Sequence, residues 1–410
     1  MDINDLLKPF QKFGINLGLE RIDRLLSNLG NPHHRVPIVH VAGTNGKGSV
    51  CAYLSSVLTE AGYKIGRYIS PHLVSWTERI CINEKEIEIE KLSATIEEVI
   101  NAISSESPPT QFEIFTAAAW LYFARERVDI AIMEVGLGGR LDATNVCPSP
   151  LVTIITSISR EHWQILGDTV AEIAIEKAGI LKANCPAVMG KLPPDPERAI
   201  AEKVKQLKCP AIWVEPAEKI PEGKAKYNNI EYELPLLGDI QLTNSAIAIA
   251  ALQILQQQGW NISRESISNG IAKTRWLGRL QWTQWQQKKM LVDGAHNPAA
   301  AQILRQYVDT LNVPIAWVLG ILATKDQKGI LEALLRPRDR LYLVPVPNKE
   351  YTEPQKLAKI AREVCPNLLS CQTHLELFLA LEQATNNDSL VVLGGSLYLV
   401  GYFLEKMRVL

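Results

Sequence analysis

Short runs of apolar, β-branched residues alternate along this chain with longer stretches of helical patterning. The runs read as buried strands at Val36–Val41, Ile65–Ile69, Ile130–Val135, Leu151–Ile158, Met290–Val292, Ile315–Leu319, Leu341–Val346 and Leu390–Leu393. The stretches read as helices and include Ser49–Ala61, Phe112–Arg125, Thr169–Leu181, Thr243–Gln258, Pro298–Leu311 and Pro354–Val364. Strands with no polar face, separated by helices, predict parallel sheet covered on both sides. Thr169 with Glu172 three residues on predicts a capping box, and Gly179 a C-terminal helix stop.

The alternation breaks at Trp276–Lys289, a stretch rich in Trp, Gln and basic residues. We read it as an interdomain segment with a short hairpin rather than a nucleic-acid patch, because the next strand starts at once at Met290. The chain has 410 residues, whereas one core rarely grows past roughly 250–300. The expectation is therefore α/β with two domains, 1–283 and 284–410. The segment Asn184–Asn244, with its Pro-Pro, Lys-rich and Gly-containing turns, is expected to finish the first sheet.

Composition narrows the class. Hydrophobic residues make up 47%, charged residues 21%, and the formal net charge is −1, the balance of an ordinary globular protein. No general attraction to nucleic acid or anionic membrane follows from it. The seven cysteines are odd in number and form no CxxC pair, which points to reduced thiols in the cytoplasm. The N-terminus has no basic start followed by an apolar run, and no run is long enough to span a membrane. A cytoplasmic protein acting on a soluble substrate is expected.

The strongest chemical signal is Gly43-Thr44-Asn45-Gly46-Lys47-Gly48-Ser49, placed between a strand and a helix. Glycines let the backbone curl so that its N–H groups converge, and the helix N-terminus adds positive potential, which suits nucleotide phosphate. Lys47 can neutralise phosphate oxygens and Ser49 can offer a hydroxyl to magnesium. The strict GxxxxGK[ST] pattern is not met, since Val41 holds its first glycine position and Gly48 separates Lys47 from Ser49.

GTNGKGS in this setting resembles the loop of the Mur ligase superfamily. Further segments point to its folylpolyglutamate synthase branch: Ser70–Asn83 (SPHLVSWTERICIN), Thr110–Trp120, Glu134–Asn145 (EVGLGGRLDATN), Glu161–Ile180, Gly278–Gln281, Asp293–Pro298 and Gly394–Gly401. They follow the family's order across almost the whole chain, with the likeness greatest to bacterial dihydrofolate synthase/folylpolyglutamate synthase. The resemblance implies a P-loop-type ATP-binding central domain followed by a Rossmann-like C-terminal ligase domain. The second domain lacks GxGxxG, so no dinucleotide is expected there.

The resemblance also implies roles. Thr44, Asn45, Gly46, Lys47, Gly48 and Ser49 would cradle ATP, with Asn244 on adenine, Arg279 on the phosphates across the domain interface and Asp293 on the ribose. Ser49, Ser70 and Glu134 would ligate one Mg2+. His162 and a carbamylated Lys177 would serve a second. Lys47, Lys177 and His296 would stand nearest the reacting groups. This chain has Arg160-Glu161-His162 where the family has Leu-Asp-His. Each residue also has a plainer reading: Glu134 paired with Arg140, Lys177 a solvated helix lysine, Asn244 a helix cap, Asn297-Pro298 a helix start.

Dihydropteroate is placed by resemblance against Ile15, Asn16, Leu17, Gly18, Thr110, Gln111, Phe112, Glu113, Leu141, Asp142 and Ala143. Phe112 would offer a flat apolar face and Asp142 a carboxylate. Core packing and a simple turn are their plainer readings. The implied activity is ATP-dependent ligation of L-glutamate to dihydropteroate and then to reduced folates, by a monomer. Polyglutamylation alone is the alternative.

Overall fold

The computed structural model describes residues 2–104 and 107–409. It divides the chain into two units, one running to Pro235 and including Gln241–Arg275, the other comprising Leu236–Ile240 and Trp276 onward. The division falls between Arg275 and Trp276, ahead of the expected 283/284 boundary. The reason is that Gln281–Trp285 pairs with Lys288–Val292 and so joins the second sheet.

The first unit contains β1 (Ile38–Ala42), β2 (Ile65–Tyr68), β3 (Ile80–Ile82), β4 (Lys85–Glu86), β5 (Ile130–Glu134), β6 (Val152–Ile155), β7 (Ala187–Met189) and β8 (Ala211–Trp213). Their order in the sheet is β4-β3-β2-β5-β1-β6-β7-β8. All neighbours from β2 to β8 are parallel, while β3 and β4 return antiparallel at one edge. Every residue of β1, β2, β5 and β6 is buried, as parallel strands covered on both faces require. The helices Glu20–Asn28, Ile89–Asn101 and Gln111–Glu126 share one core with Ile38, Tyr68, Ala131 and Met133. Val170–Lys177 and Pro194–Leu207 share another with Ala42, Ile155, Ala187 and Met189.

From β1 the chain passes β5 to reach β2, and from β5 it passes β1 to reach β6. The sheet therefore changes winding direction around β1. Open α/β sheets bind ligands outside the carboxyl ends of their strands at such a point.

Thr169 caps its helix as expected, with a full capping box to Glu172. Gly179 is not the left-handed stop expected of it. The helix ends at Lys177 and Gly179 lies in a 3-10 turn, Ala178–Ile180. Its missing side chain matters for packing instead, since a Cβ there would come 2.3 Å from Arg140 Cα. In Asn184–Asn244, β7 and β8 do extend the first sheet. The rest forms a separate antiparallel sheet of β9 (Glu218–Ile220), β10 (Lys224–Tyr227) and β11 (Ile230–Glu233). Asn228 and Asn229, both left-handed, make the two-residue turn from β10 to β11.

The second unit has β12 (Gln281–Trp285), β13 (Lys288–Val292), β14 (Ile315–Leu319), β15 (Arg340–Leu343), β16 (Ser370–Thr373) and β17 (Leu390–Gly394), ordered β12-β13-β17-β14-β15-β16. Only β12 is antiparallel to its neighbour. The expected hairpin is β12–β13, turning through Gln286 and Gln287, both left-handed. Its tryptophans are used in packing: Trp285 lies 5.2 Å from the Phe378 ring, and Trp282 Nε1 donates to Tyr307 OH at 3.1 Å. The helices Pro298–Asp309, Gln327–Leu334 and Pro354–Val364 cover one face through Leu304, Leu331 and Leu357.

Candidate active site

The loop after β1 is braced from β6. Thr44 N–H donates to the Ser157 carbonyl at 2.7 Å, and Asn45 N–H to Ser157 Oγ at 3.0 Å. The Asn45 carbonyl accepts from Thr156 Oγ1 at 2.6 Å and from Ser157 Oγ at 2.9 Å. Gly46 is the N-cap of the helix Lys47–Glu60 with φ +87°. A Cβ on Gly46 would come 2.5 Å from Asn244 Oδ1. Glycine is thus required by both backbone and space. The close contact also places the Asn244 amide against the loop. Asn244 lies inside the helix Ile240–Gln257 and is 3% exposed, so the reading of it as a helix cap is corrected.

Lys47 Nζ donates to the carbonyls of Gly43 and Thr44, at 3.1 Å each, and stands 4.0 Å from Glu134 Oε1. Glu134 ends β5, is 6% exposed and faces Val41 across the ladder. The plainer reading of Glu134, a pair with Arg140, is overturned: Arg140 Nε and Nη2 donate to Glu176 Oε1 at 3.0 and 2.9 Å. Lys177 is no solvated lysine either. It is 5% exposed and donates to the Gly43 carbonyl at 2.9 Å. Burial, reinforced by the Lys47 charge and opposed by Glu161 and Asp142, pushes its amine down to about 7.

Ser70 follows β2 by two residues, ahead of a cis peptide to Pro71. His162 follows β6 and is the left-handed N-cap of the short helix Trp163–Leu166. Both lie beyond carboxyl ends of strands in the sheet that carries Glu134. Among the described residues no group of three or more His, Cys, Asp or Glu is set to hold a metal. The set expected here draws instead on two hydroxyls, one carboxylate (Glu134), one histidine and a modified lysine. A buried carboxylate facing an ammonium across 4.0 Å is nevertheless a donor suited to a hard cation.

The three segments assigned to dihydropteroate come together. Arg21 donates through Nε to Glu113 Oε2 at 3.2 Å and also reaches the Asn16 carbonyl, tying Ile15–Gly18 to the helix Gln111–Glu126. Thr110 caps that helix with Glu113 as its capping-box partner, so Glu113 already serves structure. The Phe112 ring covers Gly136. Next to it, Leu137 N–H donates to Asp142 Oδ2 at 2.7 Å. Asp142 Oδ1 accepts from Thr144 N–H at 3.0 Å and Thr144 Oγ1 at 2.6 Å. Both carboxylate oxygens are thus engaged, and a ligand N–H would share them. Burial raises the Asp142 carboxyl, and these hydrogen bonds oppose the rise.

In the second unit Asp293 follows β13. Its Oδ2 accepts from Leu280 N–H at 2.8 Å and its Oδ1 from Ala295 N–H at 2.7 Å. Burial raises its carboxyl, while the nearby Arg279 charge lowers it. His296 Nδ1 bonds the Gly294 carbonyl at 2.8 Å. Asn297 accepts from Ala300 N–H at 2.9 Å with Pro298 in the first turn, which makes it the expected helix start.

Three contributors were missed from sequence. Thr156 and Ser157 brace the loop, and the polar pair closing an apolar strand was their signal. Gln241 bonds Asn244 and Ser49, and nothing local marks it.

Residues 41–252 match the Mur ligase middle domain, and residues 278–406 match the dihydrofolate synthetase C-terminal domain. The Saccharomyces cerevisiae dihydrofolate synthetase is 37% identical over 82% of this chain and 83% of its own length. The Bacillus subtilis dihydrofolate synthase/folylpolyglutamate synthase is 37% identical over 79% of this chain and 80% of its own. Among solved structures, the Mycobacterium tuberculosis folylpolyglutamate synthase complexed with ADP and AMPPCP is 28% identical, with a TM-score of 0.87 over 99% of each chain. E. coli FolC in complex with DHPP and ADP is 30% identical, with a TM-score of 0.85 over 99% of this chain and 96% of that one. The chain belongs to the Mur ligase family, in its dihydrofolate synthase/folylpolyglutamate synthase branch.

Proposed function

We propose that this ATP-dependent ligase is bifunctional. It joins L-glutamate to dihydropteroate, giving dihydrofolate, and then adds glutamates to reduced folates through γ-carboxyl linkages. The observation that carries the ligase chemistry is the meeting of Lys47 and Lys177 on one carbonyl of the glycine loop, with Glu134 beside Lys47, and the tie of Ile15–Gly18 to the helix Gln111–Glu126 through Arg21 supports dihydropteroate as a substrate. The solved relatives complexed with ADP and AMPPCP, and with DHPP and ADP, support a nucleotide and a second small-molecule ligand here as well. In this reading the enzyme is a cytoplasmic monomer of the bacterial bifunctional type.

A carboxylate is a poor electrophile. Transfer of the ATP γ-phosphoryl group to it gives an acyl phosphate, which the glutamate α-amino group attacks. The tetrahedral adduct then collapses to amide and phosphate. The backbone N–H groups of Thr44–Ser49 and the Lys47 ammonium neutralise phosphate oxygens as charge moves between them. By the family resemblance Asn244 would take the adenine, Asp293 the ribose and Arg279 the phosphates, with His296 near the reacting groups.

Ser49, Ser70 and Glu134 would hold one Mg2+, with His162 and carbamylated Lys177 at a second. Magnesium when bound adds charge neutralisation at the phosphates. Carbamylation needs a neutral amine, which adds to carbon dioxide and releases a proton. A buried Lys177 with its amine pushed down to about 7 supplies that form at neutral pH. Phe112 and Asp142 face the pterin, with Ile15–Gly18, Thr110–Glu113 and Leu141–Ala143 around it.

The test is ATP-dependent phosphate release with glutamate and magnesium, on 7,8-dihydropteroate and tetrahydrofolate in parallel. Turnover with both is expected. Turnover with tetrahydrofolate alone makes the enzyme a polyglutamylation ligase, like the Lacticaseibacillus casei relative named folylpolyglutamate synthase, 33% identical over 92% of this chain. Turnover with dihydropteroate alone aligns it with the yeast relative named dihydrofolate synthetase.

A further inference from the structure

Gln241 has no role in the reaction as described above, yet it sits at the crossing of two of its binding functions. It stands in the first turn of the helix Ile240–Gln257, is 4% exposed, and precedes Asn244 by one turn. Its Oε1 accepts from Asn244 Nδ2 at 3.0 Å and from Tyr53 OH at 3.5 Å. Its Nε2 donates to Ser49 Oγ at 3.5 Å. Tyr53 and Ser49 both belong to the helix Lys47–Glu60 that opens at the glycine loop. One buried amide thereby joins the side chain assigned to the base with the hydroxyl assigned to the metal.

The direction of these bonds carries chemical information. An asparagine amide can turn either end toward a ligand. Here Nδ2 is held by Gln241, and Oδ1 lies against Gly46, where a Cβ would meet it at 2.5 Å. The end presented to the loop is thus an acceptor. An acceptor suits the exocyclic amine of adenine and repels the carbonyl oxygen that guanine carries at the same position. On the other arm, the Nε2–H bond uses one lone pair of Ser49 Oγ and leaves the other for a cation.

We propose that Gln241 is a positioning residue that fixes the Asn244 amide for adenine and the Ser49 hydroxyl for Mg2+, so that base selection and metal binding are coupled through one side chain. The inference rests on the reading of Asn244 and Ser49 as base and metal contacts. Gln241 itself touches neither nucleotide nor metal. Buried polar networks hold side chains in one orientation when every member is satisfied, and they release them when one is removed. The two arms are separable: a carboxylate in place of the amide keeps the acceptor for Asn244 and Tyr53 but cannot donate to Ser49.

The experiment measures equilibrium binding of ADP and GDP by displacement of a fluorescent nucleotide, with Mg2+ and with EDTA, on the full chain and its Q241M and Q241E variants. Thermal melting reports their folding. In Q241M, which loses the bonds to Asn244, Tyr53 and Ser49, we expect Mg–ADP binding to weaken on the order of 10-fold. The preference for ADP over GDP and the gain from Mg2+ should both shrink. Q241E should keep the base preference and lose part of the Mg2+ gain. It preserves volume and acceptor, so it reports even where Q241M does not fold. If Q241M and Q241E both retain the parent's base preference and Mg2+ gain, the proposal is overturned. The N244A variant separates the underlying reading: if it binds ADP as the parent does, the assignment of Asn244 to adenine fails. If N244A weakens ADP while Q241M does not, only the positioning role fails.

Discussion

Lys177 Nζ and Lys47 Nζ donate to the same backbone oxygen, the carbonyl of Gly43, at 2.9 and 3.1 Å. Burial, reinforced by the neighbouring Lys47 charge, pushes the Lys177 amine down. Replacing Lys177 by Ala should reduce ligation by at least about 100-fold, the scale of losing a group that organises transition-state charge, while nucleotide binding persists. A fully active K177A enzyme would sink the assignment. Carbamylation itself is checked by carbon NMR of protein equilibrated with 13C-bicarbonate, where a carbamate resonance should appear in the parent and be lost in K177A.

The loop depends on Gly46 in a way that a single methyl group tests. Its φ of +87° and the 2.5 Å approach to Asn244 Oδ1 leave no room for a side chain. In G46A the backbone strain alone costs roughly 1–2 kcal/mol, and Asn244 must move. Titration with ADP should show at least a 10-fold weaker affinity. Unchanged affinity would mean that the Asn244 amide is not set by the loop.

Phe112 should affect one substrate and not the other. Its ring covers Gly136, the neighbour of the Leu137 N–H that donates to Asp142, whereas Lys47 bonds the carbonyls of Gly43 and Thr44. Removing an aromatic face costs on the order of 1 kcal/mol beyond its area burial. F112A should therefore raise the KM for dihydropteroate several-fold and leave the KM for ATP near the parent value. Steady-state kinetics with each substrate varied in turn decide it, and equal changes in both KM values count against the pterin assignment.

Acid stability should carry the mark of His40. It lies within β1, its Nε2 is hydrogen-bonded with Thr144 Oγ1 at 2.8 Å, and burial, helped by the Lys182 charge, pulls its imidazole down to about 3. In the unfolded chain the same group takes a proton near its ordinary value of 6.5. Below that pH the unfolded state binds more protons, so the stability held above pH 6.5 is lost progressively as pH falls toward 3. The loss from one such group approaches about 1.4 kcal/mol per pH unit. Urea midpoints from pH 7 to pH 4.5 should fall less steeply in H40Q than in the parent; parallel curves would remove His40 from the account.

Eight strands read from the sequence are present in the structure, the ends differing by a few residues, because each is a run of apolar side chains that must be buried on both faces. β16 escaped notice for the opposite reason: Ser370–Thr373 is a half-exposed edge strand with no apolar run. The caps at Thr110, Thr169 and Asn297 were written in local order, since a capping bond spans three residues. Gly179 misled because a glycine after a helix looks alike whether it serves a turn or a close approach.

What the sequence by itself determined was the local: the strand–loop–helix that makes an anion cradle, the helix starts, and the residues whose resemblance named the family. What only the tertiary structure decided was which of these meet. Lys177 reaches Gly43 across 134 positions, Gln241 reaches Ser49 across 192, and Arg21 reaches Glu113 across 92. Those meetings follow from parallel strands joined by long crossovers, which bring the loops at the strands' carboxyl ends and the helices covering the sheet together from distant segments. A hydrogen bond across such a distance leaves no periodicity and no spacing in the chain, because its partners are chosen by strand order and not by neighbourhood.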